Sequence, residues 1–210
     1  MNTFTAWAVR CLLLFFFLGM AANHPARGQL MNTNQVETIV LGGGCFWCVE
    51  AVFQKVPGVK SIVSGYSGGK TPNPTYEQVC SGTTGHAEVV QVGYDQAVLS
   101  LERLLVHFWD AHDPTTLNRQ GADVGTQYRS VIYYNNDQQK AVVEKSKTEA
   151  QSRFRDPIVT QIAPLEKFYR AEDYHQNYYN NNPDKGYSRA VIKPKVDKVE
   201  KTLKATPQPK

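Results

Sequence analysis

"LGGGCFWCVE", residues 41–50, sets two cysteines three positions apart directly behind three glycines. The stretch before it, "VETIVL" (36–41), is a run of strand formers. Behind the glycines Phe46, Val49 and Phe53 recur at helical spacing until "PG" at 57–58 stops the pattern. These ten residues are therefore a strand-to-helix junction, and Cys45 and Cys48 open the helix. Glycine allows the sharp turn and lets a ligand come close to the backbone.

Outward from this junction, strands and helices mix without a strict βαβ rhythm. "VKSIVSGY" (59–66) reads as a strand and "SGGKTPNP" (67–74) as a loop. "HAEVVQVGYD" (86–95) reads as a strand whose two-residue period puts Glu88 on the same face as Val90, Val92 and Tyr94. Ser100 caps a helix with Leu101, Leu104, Leu105 and Phe108 on one side. "HDPTTLNRQGADVGTQYR" (112–129) has neither period, and loops of that length are often functional. "SVIYY" (130–134) is a strand, a polar helix follows from about Asp137, and "PIVTQI" (157–162) is another strand. "AEDYHQNYY" (171–179) reads as a short helix and "VDKVEKTLK" (196–204) as a loose amphipathic turn. The fold class is α+β, a mixed sheet with helices.

The chain has 210 residues, 41% hydrophobic and 20% charged, which suits one soluble domain with appendages. Its net charge of +4 is uneven: residues 185–210 carry +6, residues 1–28 carry +2, and the body between them carries −4. An acidic body gives no nucleic-acid footprint, and the basic stretch from about 185 reads as a solvated tail. At the other end, Arg10 precedes a twelve-residue apolar run, "CLLLFFFLGMAA". A span needs ~20 residues, so the run fits the core of a secretory signal. We expect a signal over 1–28, with a rival cut after Ala21, an uncleaved anchor as the other alternative, and no stable membrane partner for the rest. That places the domain, 29–210, in the periplasm or at the cell surface. It also removes Cys11 and leaves Cys45, Cys48 and Cys80, an odd count that does not suit a disulfide framework.

Four kinds of chemistry compete for the pair. A zinc site could use Cys45, Cys48, Cys80 and His86, although "CSGTTGH" (80–86) supplies only a loose second pair. A structural disulfide between Cys45 and Cys48 closes too small a loop to stabilise much. A thioredoxin-like oxidoreductase also opens a helix with its redox pair, but the residues between the sulfurs are then typically small or proline. Here they are Phe46 and Trp47, which suit the walls of an apolar pocket. A reacting thiol fits best: the unpaired N–H groups of a helix start favour a thiolate on Cys45, and Cys48 can attack whatever forms there. Glu88, on an apolar strand face, should stay protonated near neutral pH and be able to give a proton. Its alternative is a strand-end carboxylate paired with an arginine such as Arg129.

Five stretches in order, "GCFWCVEAVF" (44–53), "GYSGG" (65–69), "YEQVCSGTTGHAEVV" (76–90), "FWDAHDPTTLNRQGADVGTQYRSVIYY" (108–134) and "AEDYHQNYY" (171–179), closely resemble peptide methionine sulfoxide reductases of the A type. The resemblance runs from about Thr38 to Lys195. It implies a two-layer, ferredoxin-like sandwich and reduction of the S epimer of methionine sulfoxide, free or in proteins. It also implies a thioredoxin-like dithiol reductant and neither metal nor organic cofactor, and we expect a monomer. By the same resemblance Cys45 is the nucleophile, and Phe46 and Trp47 are the floor for the substrate methyl group. Glu88 is the acid, Tyr76 and Tyr128 hydrogen-bond the departing oxygen, and Asp123 is a loop carboxylate near the nucleophile. Many relatives resolve the sulfenic acid with cysteines near the C-terminus, often in "GYC". Here the stretch is "GYS", with Ser188, which leaves Cys48 as the resolving thiol, with Cys80 or an external thiol as alternatives. Tyr174, His175 and Tyr178 are read as packing around the site, and Tyr187 as a possible edge of the pocket.

Overall fold

The computed structural model describes residues 36–205. The segment expected to be a signal, 1–28, lies outside the described residues. Among the described residues there are eight strands: β1 (Val36–Gly43), β2 (Val59–Ser67), β3 (Ala87–Asp95), β4 (Arg119–Gln120), β5 (Asp123–Val124), β6 (Ser130–Tyr134), β7 (Gln161–Pro164) and β8 (Phe168–Arg170). The helices are α1 (Phe46–Phe53), α2 (Tyr76–Cys80), α3 (Leu101–Ala111), α4 (Asp137–Ala150), α5 (Tyr178–Asn181) and α6 (Lys193–Ala205). Six strands form one mixed sheet in the order β7-β6-β1-β3-β2-β8, antiparallel throughout except for β6 and β7.

The pleat divides the sheet residues between two apolar clusters. Ile39 and Leu41 of β1 join Val90, Val92 and Tyr94 of β3 beneath α1, α3, α4 and α6, in the larger cluster. Val40, Val89, Val131 and Tyr133 point the other way, and Ala163, Leu165 and Phe168 pack on them. The β1-to-α1 turn needs glycine. Gly44 has φ +94°, and a Cβ there would lie 2.6 Å from the Gln120 side chain. Ser100 caps α3 as the pattern indicates, its hydroxyl accepting the Arg103 N–H.

Several expectations need correction. The 112–129 stretch is not structureless: β4 and β5 form a small hairpin across Gly121, and a 3-10 turn follows at Thr126–Tyr128. The strand expected at 157–162 is displaced to 161–164. Ile158 and Val159 donate their N–H groups to Gln151 and Pro114 instead of to a neighbouring strand. The single helix expected over 171–179 is broken into a 3-10 turn at Asp173–His175 and α5. Asn177 between them is left-handed, φ +54°. The Glu50 carboxylate takes the N–H groups of Asn177 and Tyr178 at 2.8 and 3.1 Å, and the Gln176 side chain bonds both backbone groups of Ser64. Those bonds fix the irregular path.

The largest correction is at the C-terminal end. The expected solvated tail is the thirteen-residue α6, entered through one π-helical turn at Ser188–Ile192. Ile192, Val196 and Val199 are buried, and Leu203 packs beside them. The spacing of four, three and four is a helical stripe. The lysines that suggested a tail occupy the other faces; Lys193 pairs with Asp197 along the helix, and Glu200 pairs with Lys55, just beyond α1. We expect Ile192→Ala to lower stability by about 2–5 kcal/mol, measured by urea unfolding. A loss under ~0.5 kcal/mol, typical of surface substitutions, would show that α6 is only loosely attached.

Candidate active site

Cys45 is the residue before the first turn of α1, and its carbonyl accepts the N–H groups of Cys48 and Val49. The next free amide, that of Phe46, donates to the Glu88 carboxyl at 3.0 Å. Glu88 reaches it from β3, where Tyr66 of β2 is its cross-strand partner. The strand face that the two-residue period assigns to Glu88 is thus the face beneath the cysteine turn. Arg129 does not pair with it. Its guanidinium serves the Thr126 and Gly85 carbonyls, the Gln161 side chain and the Tyr133 hydroxyl.

Glu88 is 1% exposed. Burial is the main cause that pushes its pKa up to about 8, opposed by the Phe46 amide and assisted by Asp123 and Cys48. The carboxyl is therefore protonated at neutral pH. Both sulfurs are also enclosed, Cys45 at 7% exposure and Cys48 at 2%. Burial, the Cys48 hydrogen bond and the Glu88 charge push the Cys45 thiol well up. The hydrogen bond from Cys45 is the main cause that brings Cys48 down to about 7, with help from Lys195. Such a pair titrates as a unit. It gives up a first proton near neutrality, and the hydrogen left between the sulfurs is held tightly.

An aromatic box surrounds the turn. Phe46 lies among Trp47, Tyr66, Tyr76 and His175, with ring centroids 5.0–6.4 Å away. Trp47 stacks on Tyr178 at 3.6 Å and 6°, and its indole N–H donates to His175 Nδ1 at 3.0 Å. That bond leaves the imidazole hydrogen on Nε2, and burial lowers the His175 pKa, keeping the ring neutral. Tyr76 enters from the start of α2, where Thr75 and Gln78 form a reciprocal cap, and its amide bonds Glu172. Tyr128 ends the 3-10 turn after the hairpin. Burial is the first cause that raises both phenols, and the Glu88 charge acts on each.

The structure brings together Cys45, Cys48, Glu88, Phe46, Trp47, Tyr76, Tyr128 and Asp123. Cys80 is half-buried beside the Tyr76 hydroxyl. His86 is turned to the 69–71 loop, its Nδ1 accepting from the Gly69 amide and its Nε2 bonding the Thr71 carbonyl. Two site residues carry more than the sequence reading gave them. Tyr187, read only as a pocket edge, donates its hydroxyl to Asp123 at 2.9 Å and lies 3.8 Å from the Cys48 sulfur. Glu50 was missed, although a carboxylate four positions from Phe46 on an apolar helix is the same signal that marked Glu88. It is buried and anchors the 177–178 backbone under Trp47.

The peptide methionine sulfoxide reductase family model matches residues 37–207. The chain belongs to the peptide methionine sulfoxide reductase family. It is 58% identical over 167 residues to the reductase of Leptospira borgpetersenii serovar Hardjo-bovis, covering 80% of this chain and 95% of that one. The reduced form of Mxr1 from Saccharomyces cerevisiae superposes with a TM-score of 0.69 at 38% identity, covering 72% and 88% of the two chains. Mxr1 in complex with Trx2 gives a TM-score of 0.51 at 29% identity, covering 69% and 85%. Members of this family are oxidoreductases, and this chain is a thiol-dependent reductase of methionine sulfoxide.

In the unfolded chain Glu88 ionises near 4.5, while in the fold it keeps its proton to about 8. Between those values the folded state holds the extra proton, so stability falls as pH rises and then levels off. The whole displacement corresponds to roughly 4–5 kcal/mol. We expect Glu88→Gln to gain on the wild type by a large part of this between pH 5 and pH 9 in denaturant titrations. A difference independent of pH would mean that Glu88 is ionised in the fold.

Proposed function

We propose that this chain reduces the S epimer of methionine sulfoxide, free and within proteins, through a sulfenic acid on Cys45 and a Cys45–Cys48 disulfide, and so repairs oxidised proteins. The observation that carries this reading is the buried Glu88 carboxyl, its pKa pushed up by that burial, bonded to the first amide of the helix that Cys45 opens. A nucleophile and an acid thus meet at one turn.

The sulfoxide methyl group sits on Phe46 and Trp47, where sulfur–aromatic contacts are favourable and a second polar group would be excluded. The oxygen lies toward Tyr76, Tyr128 and Glu88. Cys45 attacks the sulfur as its hydrogen moves to Cys48, which near neutrality stands beside it as a thiolate and so is the adjacent base. Glu88 gives its proton to the oxygen, the hydroxyl passes from the substrate sulfur to Cys45 as the new sulfur–sulfur bond breaks, and methionine leaves with Cys45 as a sulfenic acid. Asp123 acts from the loop side through Tyr187. Cys48 then closes the disulfide, and its place three residues along α1 supports this role over the more distant Cys80. A thioredoxin-like dithiol protein reopens it, a reading supported by the yeast relative solved with Trx2. None of these steps calls for a metal or organic cofactor.

We also read the core as a two-layer, ferredoxin-like sandwich. In support, β1–α1–β2 and β3–α3–β6 are two strand–helix–strand units whose strands lie in the order β6-β1-β3-β2. The working unit is a monomer, residues 29–210, exported to the periplasm or cell surface by the signal at 1–28. The run at Cys11–Ala22 supports export, and N-terminal sequencing of the mature protein should begin at Gln29 or Ala22. A start at Met1 would count against cleavage.

The experiment is a single turnover: reduced enzyme, excess methionine S-sulfoxide, no reductant. We expect one methionine and the loss of two thiols per chain, with Cys45→Ser forming none. Glu88→Gln should slow methionine formation by about 10²–10⁴-fold, and in the wild type that step should decline as pH rises through about 8. Turnover by Cys45→Ser, or the R epimer reduced as fast as the S, would overturn the reading.

A further inference from the structure

The Tyr187 hydroxyl has one hydrogen, and it points at Asp123 Oδ2, 2.9 Å away. Its oxygen keeps lone pairs, and the Cys48 sulfur is 3.8 Å from it. With the phenol hydrogen committed to Asp123, a thiol on Cys48 is the donor in that second contact. Cys48, Tyr187 and Asp123 therefore form a directed chain from a buried sulfur to a half-exposed loop carboxylate. Tyr187 is held in place by the edge of its ring against Trp47, 5.9 Å between centroids, and by the π-helical turn that begins at Ser188.

The reaction needs such a path at one moment. Once methionine has left, Cys45 is a sulfenic acid and Cys48 holds the hydrogen it accepted. A thiol is a poor nucleophile, so Cys48 must lose that hydrogen before it can attack. We propose that Tyr187 is a catalytic residue of the disulfide-forming step, relaying the Cys48 proton to Asp123. This rests on the reading of Cys48 as the resolving thiol. The Cys48 S–H gives its proton to the phenol oxygen as the phenol passes its own to Asp123. The Cys48 sulfur bonds the Cys45 sulfur and the Cys45 S–O bond breaks. The departing hydroxide takes up the proton that Asp123 gained and leaves as water. The sulfenic acid is the oxidant and the Cys48 thiol the reductant, so no further partner enters. In reverse, the same chain returns a proton to Cys48 when an external dithiol opens the disulfide.

The test separates the two chemical steps. Reduced wild type, Tyr187→Phe and Asp123→Asn are mixed rapidly with excess methionine S-sulfoxide and no reductant. Methionine and disulfide are quantified over time, and sulfenic acid is trapped with dimedone and located by mass spectrometry. In the wild type we expect disulfide to follow methionine closely, with no adduct. In both variants disulfide formation should lag methionine formation by tenfold or more, with a dimedone adduct on Cys45, at an unchanged melting temperature. Tyr187→Phe keeps the ring against Trp47, so a packing role alone would not produce the adduct. Disulfide formation at the wild-type rate, or an equal slowing of both steps, would overturn the relay. A wild-type disulfide mapped to Cys80 would overturn the Cys48 reading and the relay with it. A wild type that forms no methionine would instead overturn the proposed reaction.

Discussion

The hydrogen bond from the Phe46 amide to the Glu88 carboxyl joins the two halves of the chemistry and explains much of the fold around them. It needs a helix whose first amides are unspent, a strand that aims an acid under that helix, and enough cover to keep the acid protonated. The glycine turn supplies the first: Gly44 is left-handed and lies so close to Gln120 that no side chain fits. Strand β3 supplies the second by its two-residue period. The cover comes from three distant segments, α2, the hairpin with its 3-10 turn, and the 168–192 stretch. A buried acid is costly for a fold when ionised. This one is kept neutral and bonded by its carboxyl oxygen, which makes it a proton source.

The thiol pair works by a related constraint. Two sulfurs on one helical turn, both enclosed, cannot both ionise. The hydrogen between them can sit on either, and the surroundings decide which. Lys195 and Cys45 favour charge on Cys48, whereas the reaction needs Cys45 to attack. The proton that must move between them is the same proton that later has to leave, and the Tyr187 hydroxyl, which lies within reach of both sulfurs, is bonded to the Asp123 carboxylate.

How much of this was legible in the sequence follows from the range of the interactions. The junction at 41–50, the Glu88 face of β3 and the Ser100 cap depend on neighbours a few residues away, and periodicity shows them. The resemblance to the reductase family brought Tyr76, Tyr128 and Asp123 into one site across more than fifty residues, which no local pattern could do. What escaped depends on long-range bonds. The broken path at 171–181 is imposed by Glu50 and Ser64, more than a hundred residues earlier. Strand β8 exists because β2 offers an edge. The α6 helix was legible only in part, as a loose amphipathic turn at 196–204: eight basic residues from Lys185 onward argue for a solvated tail, and burial of the stripe Ile192, Val196, Val199 and Leu203 depends on distant partners.

The stacking of Trp47 on Tyr178, with Glu50 gripping the backbone beneath, also bears on the order in which the molecule is made. The cysteine turn is synthesised in the first quarter of the chain. The residues that close over it, from Tyr178 and Tyr187 to Val199, come last and must return across about 130 positions. Closing a loop that long is entropically slow to begin. Until it happens, Cys45 and Cys48 stand on a short helix with their aromatic neighbours unstacked and no tyrosine beside Cys48. The nascent protein thus carries an exposed dithiol for as long as its C-terminal third is unplaced. In an oxidising compartment that interval is when the pair is open to thiol–disulfide exchange with other proteins, and docking of the last helix ends it.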